Sequence, residues 1–186
     1  MRTHGHETGI EPSLGFTVLE LMVTLSIATI LLLTAAPSLR QFSMRQAMKA
    51  AVTSLQSDLL FARSQAVFGN VETVACPGAP DTGCSEASDW SGGWIVFGDA
   101  NGDQRRQSSE ALMRHGYGIE NVRVLGTSGR TRLRFLPDGS APGSNGTISL
   151  CGLNGPAGAR KLVVSNVGRV RRDLYPDIDP ARCPLN

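Results

Sequence analysis

GFTVLELMVTLSIATILLLTAAP, residues 15–37, decides how the rest of the chain is read. From Phe16 to Ala36 it runs for 21 residues with one ionisable side chain, Glu20. At ~1.5 Å of rise per residue such a helix is ~31 Å long, enough for the hydrocarbon core of a bilayer. The flank before it, MRTHGHETGIEPSLG, offsets Arg2 with Glu7 and Glu11. A secretory signal would instead start basic, carry a shorter apolar run and end that run in a small-residue cleavage site. Residues 1–15 therefore read as a polar leader ending at Gly15, before the apolar run. A carboxylate at mid-bilayer costs roughly 2.5–3.5 kcal/mol on insertion scales, whereas near a helix start it meets the positive end of the dipole. Glu20 is on both counts a functional-site candidate.

The polar leader, Gly15, the aromatic Phe16, Glu20 four residues on and the unbroken apolar helix together resemble the class III signal of type IV pilins and type II secretion pseudopilins. The resemblance implies that a prepilin peptidase cuts after Gly15 and methylates the new amino terminus at Phe16. It also implies that Glu20 pairs with that free amine, in the same or a neighbouring subunit, during assembly with other pilins. The leader then lies in the cytoplasm and the carboxyl-terminal part in the periplasm, across the inner membrane. Flanking charge argues the other way. Arg40, Arg45 and Lys49 follow the segment while Arg2 stands alone before it, and the positive-inside rule places that carboxyl-terminal side in the cytoplasm. The leader motif and the downstream cysteines, which suit an oxidising compartment, outweigh that count.

Pro37 removes one backbone hydrogen bond and favours a kink, yet the helical pattern goes on. Met44, Met48, Ala51, Val52, Leu55, Leu59, Ala62 and Ala66 fall at i, i+3, i+4 and i+7 spacings, with Arg45, Gln46, Lys49, Gln56, Arg63 and Ser64 largely elsewhere. Residues 37–69 are thus expected to continue the membrane segment 16–36 as an amphipathic helix lying on a sheet and stopping at Gly69-Asn70. From Phe16 to Phe68 that is ~80 Å of helix. After it, 21 glycines and 10 prolines in the whole chain argue for many turns and short strands. Strand candidates are Val71–Cys76, Gly93–Phe97, Gly118–Leu125, Arg130–Leu136, Thr147–Cys151 and Lys161–Ser165, all within one head domain, residues 70–186. Leu60–Ala66 (LFARSQA), Asp89–Asp99 (DWSGGWIVFGD) and Val164–Arg171 (VSNVGRVR) resemble the GspH/FimT branch of minor pilins. That resemblance implies an α+β pilin-like fold, a long helical spine packed on a mainly antiparallel β-sheet head.

Four cysteines, Cys76, Cys84, Cys151 and Cys183, allow three disulfide pairings. Sequence proximity favours Cys76–Cys84, which would pin the Pro77–Pro80 loop, with Cys151–Cys183, which would tie the polar tail to a strand. Zinc is the rival, but the spacings lack CxxC pairs and the three histidines are not placed to complete a site. Asp99-Ala-Asn101-Gly-Asp103 with Glu110 in twelfth place imitates a calcium loop. Gln104 stands where that loop wants glycine and a strand precedes it, so a hairpin turn through Asn101-Gly102 is preferred. No metal or cofactor is expected. His4 and His6 lie in the leader and His115 stands alone, so no nucleophile–base pair can be argued. No glycine-rich phosphate loop precedes a helix, and the chain reads as a non-enzyme.

Formal net charge is only +2, but it is unevenly spread. Residues 71–110 carry seven acids against Arg105 and Arg106, and residues 111–186 carry eleven Lys/Arg against five acids, so the blocks stand near −5 and +6. The carboxyl-terminal half suits an acidic or polyanionic partner. Its densest element is Gly168-Arg169-Val170-Arg171-Arg172. If Asn166-Val167-Gly168 turns, the period of two in the next strand puts Arg169 and Arg171 on one face with Val170 inward. Two guanidiniums side by side grip phosphates without reading bases. In the FimT group a Gly-Arg-x-Arg element near the carboxyl terminus is associated with binding DNA during uptake, and Gly168–Arg171 resembles it. Lys161, Arg160 and Arg172 would widen the patch, as would Arg130, Arg132 and Arg134. Tyr175 is the one aromatic close by in sequence, so binding should be sequence-independent and salt-sensitive. Three roles follow: a DNA-capturing minor type IV pilin for natural transformation, a GspH-like pseudopilin of the type II secretion system, or a priming subunit without a ligand.

Overall fold

The computed structural model describes residues 17–152, 155–173 and 183, so Gly15 and Phe16, which carry the cleavage and methylation readings, lie outside the described residues. Thr17 begins the first element. Its hydroxyl accepts the Glu20 N–H at 3.2 Å and its carbonyl the Leu21 N–H at 3.1 Å. Thr17 is therefore an N-cap, and Thr17-Val18-Leu19-Glu20 has the spacing of a capping box. Helix α1 runs Val18–Gly69 over 52 residues, through Pro37. Thr24, Ser26 and Thr29 donate their hydroxyls to carbonyls three or four residues back, which satisfies them in an apolar surrounding. The helix is long and apolar enough to cross a membrane.

Two compact units divide between Gln41 and Phe42. In the second, α1 buries Met48, Ala51, Val52, Leu55, Leu59, Ala62 and Ala66, which is the expected apolar face apart from the half-buried Met44. Asn70, at φ 48°, takes the left-handed conformation that ends a helix. Nine strands follow among the described residues: β1 (Glu72–Ala79), β2 (Gly83–Cys84), β3 (Gly93–Asp99), β4 (Leu112–Tyr117), β5 (Val122–Leu125), β6 (Leu133–Phe135), β7 (Gly146–Gly152), β8 (Gly155–Val164) and β9 (Val170–Asp173).

Every strand pairing among the described residues is antiparallel, and these strands form two sheets. The first runs β2-β1-β3-β4 with β6 also on β1, and the second runs β5-β7-β8-β9. Trp90, Trp94, Phe135, Leu150 and Leu162 join the buried face of α1 in one core that spans both sheets. Burying each such side chain stabilises the fold by about 1.5–3 kcal/mol. Trp94 also donates its Nε1–H to Asp58 of α1 at 2.8 Å. Its indole packs against Gly116, where a Cβ would sit 2.0 Å from the ring. The disulfides are Cys76–Cys84 and Cys151–Cys183, with Cα–Cα distances of 5.5 and 5.6 Å.

The strand expectations need correction in places: Arg130–Leu136 is a strand only over Leu133–Phe135, and β4 was not among the expected strands. The run Gly118–Leu125 becomes a strand only from Val122, because a turn precedes it, with the Val122 N–H on the Ile119 carbonyl at 3.1 Å and Asn121 at φ 65°. Strand β4 lacks an apolar alternation in its sequence LMRHGY, and pairing with β3 defines it instead.

Candidate nucleic-acid interface

The turn between β8 and β9 is closed by the Gly168 N–H to the Ser165 carbonyl at 2.8 Å and the Ser165 N–H to the Arg169 carbonyl at 3.1 Å. The Arg169 N–H adds a bond to the Ser165 hydroxyl at 3.2 Å. Gly168 is buried at φ 74°, and a Cβ there would meet the Gly139 carbonyl oxygen at 1.9 Å. The glycine of the motif therefore shapes the turn and offers no surface of its own. Two further contacts press this turn onto the 136–141 loop. Ala141 donates to the Asn166 carbonyl at 2.7 Å. Arg63 of α1 donates from Nε to the Gly139 carbonyl at 2.8 Å and from Nη2 to the Val167 carbonyl at 3.5 Å. Arg63, inside the LFARSQA stretch, is a positioning residue that the sequence reading left unassigned. Its signal was a cation set between the core positions Leu59, Ala62 and Ala66.

From this fixed turn the chain enters the edge strand of the second sheet. Val170 pairs with Val164 and packs on the core. Arg169 and Arg171, on the opposite face, are exposed. Neither guanidinium has a hydrogen-bond or ion-pair partner among the described residues. At ~3.3 Å per residue they stand ~7 Å apart along the strand. The arrangement can receive two anionic oxygens with no protein bond broken first.

The other expected cations divide. Lys161 lies half-buried on β8 opposite Asp173. Arg172 shares the helix side with Leu162, and its guanidinium reaches Gln56 Oε1 at 2.6 and 3.1 Å. Arg130, Arg132 and Arg134 do not widen the patch, because they are engaged on and around β6 of the first sheet. Arg132 grips Glu86 with both terminal nitrogens, the shorter contact being 2.7 Å. Arg134 pairs with the largely buried Glu72 at 3.4 Å, and Arg130 donates to the Gly143 carbonyl. Burial raises the Glu72 carboxyl above its ordinary range while Arg134 pulls it back, and the Arg132 hydrogen bond holds Glu86 below that range.

The calcium-like loop connects the antiparallel neighbours β3 and β4, with Gly102 at φ 75°. Its oxygens serve the loop's own backbone: Asp99 accepts from Gly102 and Gln104 at 2.9 and 2.8 Å, and Glu110 from Ala100 and Gln107 at 3.1 and 2.9 Å. Among the described residues no three His, Cys, Asp or Glu side chains are grouped to hold a metal.

A family model described as Type II transport protein GspH matches residues 51–168, which are 118 of the 186 residues. The chain belongs to this GspH family. The matched stretch holds the core face of α1 from Ala51 on, the strands β1, β2 and β7 that carry Cys76, Cys84 and Cys151, and Arg63, and it ends at Gly168 before Arg169 and Arg171. Two crystal structures of the type IV minor pilin FimU of Pseudomonas aeruginosa are similar, with TM-scores of 0.57 and 0.54 and identities of 23% and 21%. They cover 77% and 73% of this chain and 96% of their own. The minor pseudopilin EpsH from the Type 2 Secretion System of Vibrio cholerae matches at a TM-score of 0.50 and 12% identity, over 68% of this chain and 96% of its own. Comparison with curated protein sequences gives no match. This GspH-family chain has the pilin-like α+β fold, and its helix α1 is long and apolar enough to cross a membrane.

Proposed function

We propose that this chain is a minor type IV pilin whose head binds DNA without sequence preference for uptake in natural transformation. The observation that carries the reading is the exposed pair Arg169, in the braced turn, and Arg171, on the edge strand β9, whose guanidiniums have no partner among the described residues. Uncompensated guanidiniums carried on a braced backbone favour phosphate, with affinity dominated by counterion release. In this reading residues 1–15 are the leader, a prepilin peptidase cuts after Gly15 and methylates Phe16, and residues 16–36 span the inner membrane with the head in the periplasm. Glu20, besides its place in the capping box, meets the Phe16 amine during assembly with other pilins. The chain catalyses nothing and needs no cofactor.

A second reading has its own support: the family description is that of a type II transport protein, and EpsH, a secretion pseudopilin, shares the fold. The head then contacts other pseudopilins or secreted proteins. Deletion of the gene, complementation with wild type or Arg169→Gln/Arg171→Gln, and separate assays of transformation and exoprotein release decide between them. The DNA reading expects transformation to fall, to return with wild type and to stay low with the double variant, while release is unchanged. Lost release with normal transformation moves the chain to the secretion system.

A further inference from the structure

Strand β9 carries cations on both of its faces. Arg172 follows Arg171 and by the period of two faces α1, where Gln56 fixes its guanidinium. Beside it, α1 and β8 leave a cleft of about 390 Å³ lined by Arg45, Lys49, Arg160 and Arg172, with Met48 and Val52 as apolar surface. No carboxylate is among the described lining residues. Arg160 spends its Nη1 on the carbonyls of Gly158 and Ala159 at 2.9 and 2.8 Å. Arg45 and Lys49 are exposed and have no hydrogen-bond or ion-pair partner among the described residues. A structural ion network would contain acids, as the β6 arginines do with Glu72 and Glu86. Four like charges around one cleft repel unless an anion joins them, and a low-dielectric wall strengthens the field they present to it.

We infer that this cleft is a second phosphate-binding surface for nucleic acid, continuous with the Arg169–Arg171 pair over the edge of β9. The backbone of one strand lies on Arg169 and Arg171, crosses the sheet edge, and brings further phosphates to Arg172, Arg160, Arg45 and Lys49, with sugar carbons against Met48 and Val52. The edge position of β9 permits this, since no further strand blocks the crossing among the described residues. The inference rests on the DNA-binding reading above, and Arg45 and Lys49 make it separable from that reading, being some 120 residues away in sequence from Arg169 and Arg171.

The test is the salt dependence of DNA binding by the full chain in nanodiscs of neutral lipid. Wild type is compared with Arg45→Gln/Lys49→Gln, which removes two exposed side chains without partners, and with Arg169→Gln/Arg171→Gln. At about 0.9 per phosphate contact on duplex, the cleft variant should flatten the slope of log K against log salt by about 1.8. An unchanged slope, with the Arg169→Gln/Arg171→Gln variant still weakened, overturns the cleft and leaves the DNA reading standing. A wild-type chain that binds no DNA overturns both. If the slope is unchanged in neutral nanodiscs while phosphatidylglycerol in the disc weakens DNA binding by wild type and not by the cleft variant, the cleft serves lipid headgroups and the inference fails.

Discussion

Arg130, Arg132 and Arg134 around β6 and Arg169 and Arg171 around β9 share one pattern, arginines at every second position, with Leu133, Phe135 and Val170 between or beside them facing the core. Their surroundings are opposite. Arg132 and Arg134 have acids from elsewhere in the head, and Arg130 has a carbonyl. The β9 pair has no partner among the described residues, on a turn that Gly168, Arg63 and Ala141 hold in place. An arginine row in a sequence is thus a row of structural charges or a binding surface according to whether the fold supplies the counter-charge. Supplying it consumes the donors, and withholding it leaves them for a ligand.

The contrast breaks most sharply at Gly168. Gly168→Ala puts a side chain at positive φ and 1.9 Å from the Gly139 carbonyl, which should cost about 2–4 kcal/mol and shift the turn that carries Arg169. Chemical denaturation reads the first effect and DNA affinity the second, and a variant that matches wild type in both contradicts the braced turn.

Arg134→Gln should have a smaller effect, about 1 kcal/mol at neutral pH, by leaving the Glu72 carboxylate without its cation. The sign with pH follows from the raised Glu72 pKa. A carboxyl with a raised folded-state value favours the fold fully below its unfolded value of 4.5 and loses that contribution as pH rises through the folded value. Without Arg134 the loss grows, so wild type and variant should unfold alike in acid and diverge toward neutrality. A gap that is the same at all pH values removes Glu72 as the cause.

Arg132→Gln should matter least, because Glu86 is 70% exposed and water replaces the lost partner. Its melting midpoint should stay close to wild type, and a large drop would place more structural weight on that pair than its exposure allows.

Much of this contrast was already visible in the residues. The apolar spacing from Met44 to Ala66 gave the buried face of α1, because helical periodicity is set locally. The period of two after Gly168 separated Arg169 and Arg171 from Val170, and by the same count it separates Arg172 from them. Strand β4 was not visible because Trp94 packs on Gly116, so the neighbouring strand supplies the apolar contact that its own sequence lacks. The pairing of Arg132 with Glu86 and Arg134 with Glu72 joins residues 46 and 62 positions apart, and no local pattern encodes it. Arg45 and Lys49 read as charges flanking a membrane segment, and only the packing of α1 beside β8 and β9 gathers them with Arg160 and Arg172.

The most direct measurement sets the two rows against each other in the full chain: DNA affinity and melting midpoint for Arg169→Gln/Arg171→Gln and for Arg132→Gln/Arg134→Gln. The account predicts that the first variant loses about tenfold or more in affinity for any DNA sequence with an unchanged midpoint. The second keeps its affinity and melts lower. Wild-type affinity in the first variant, or an equal loss of affinity in both, would contradict it.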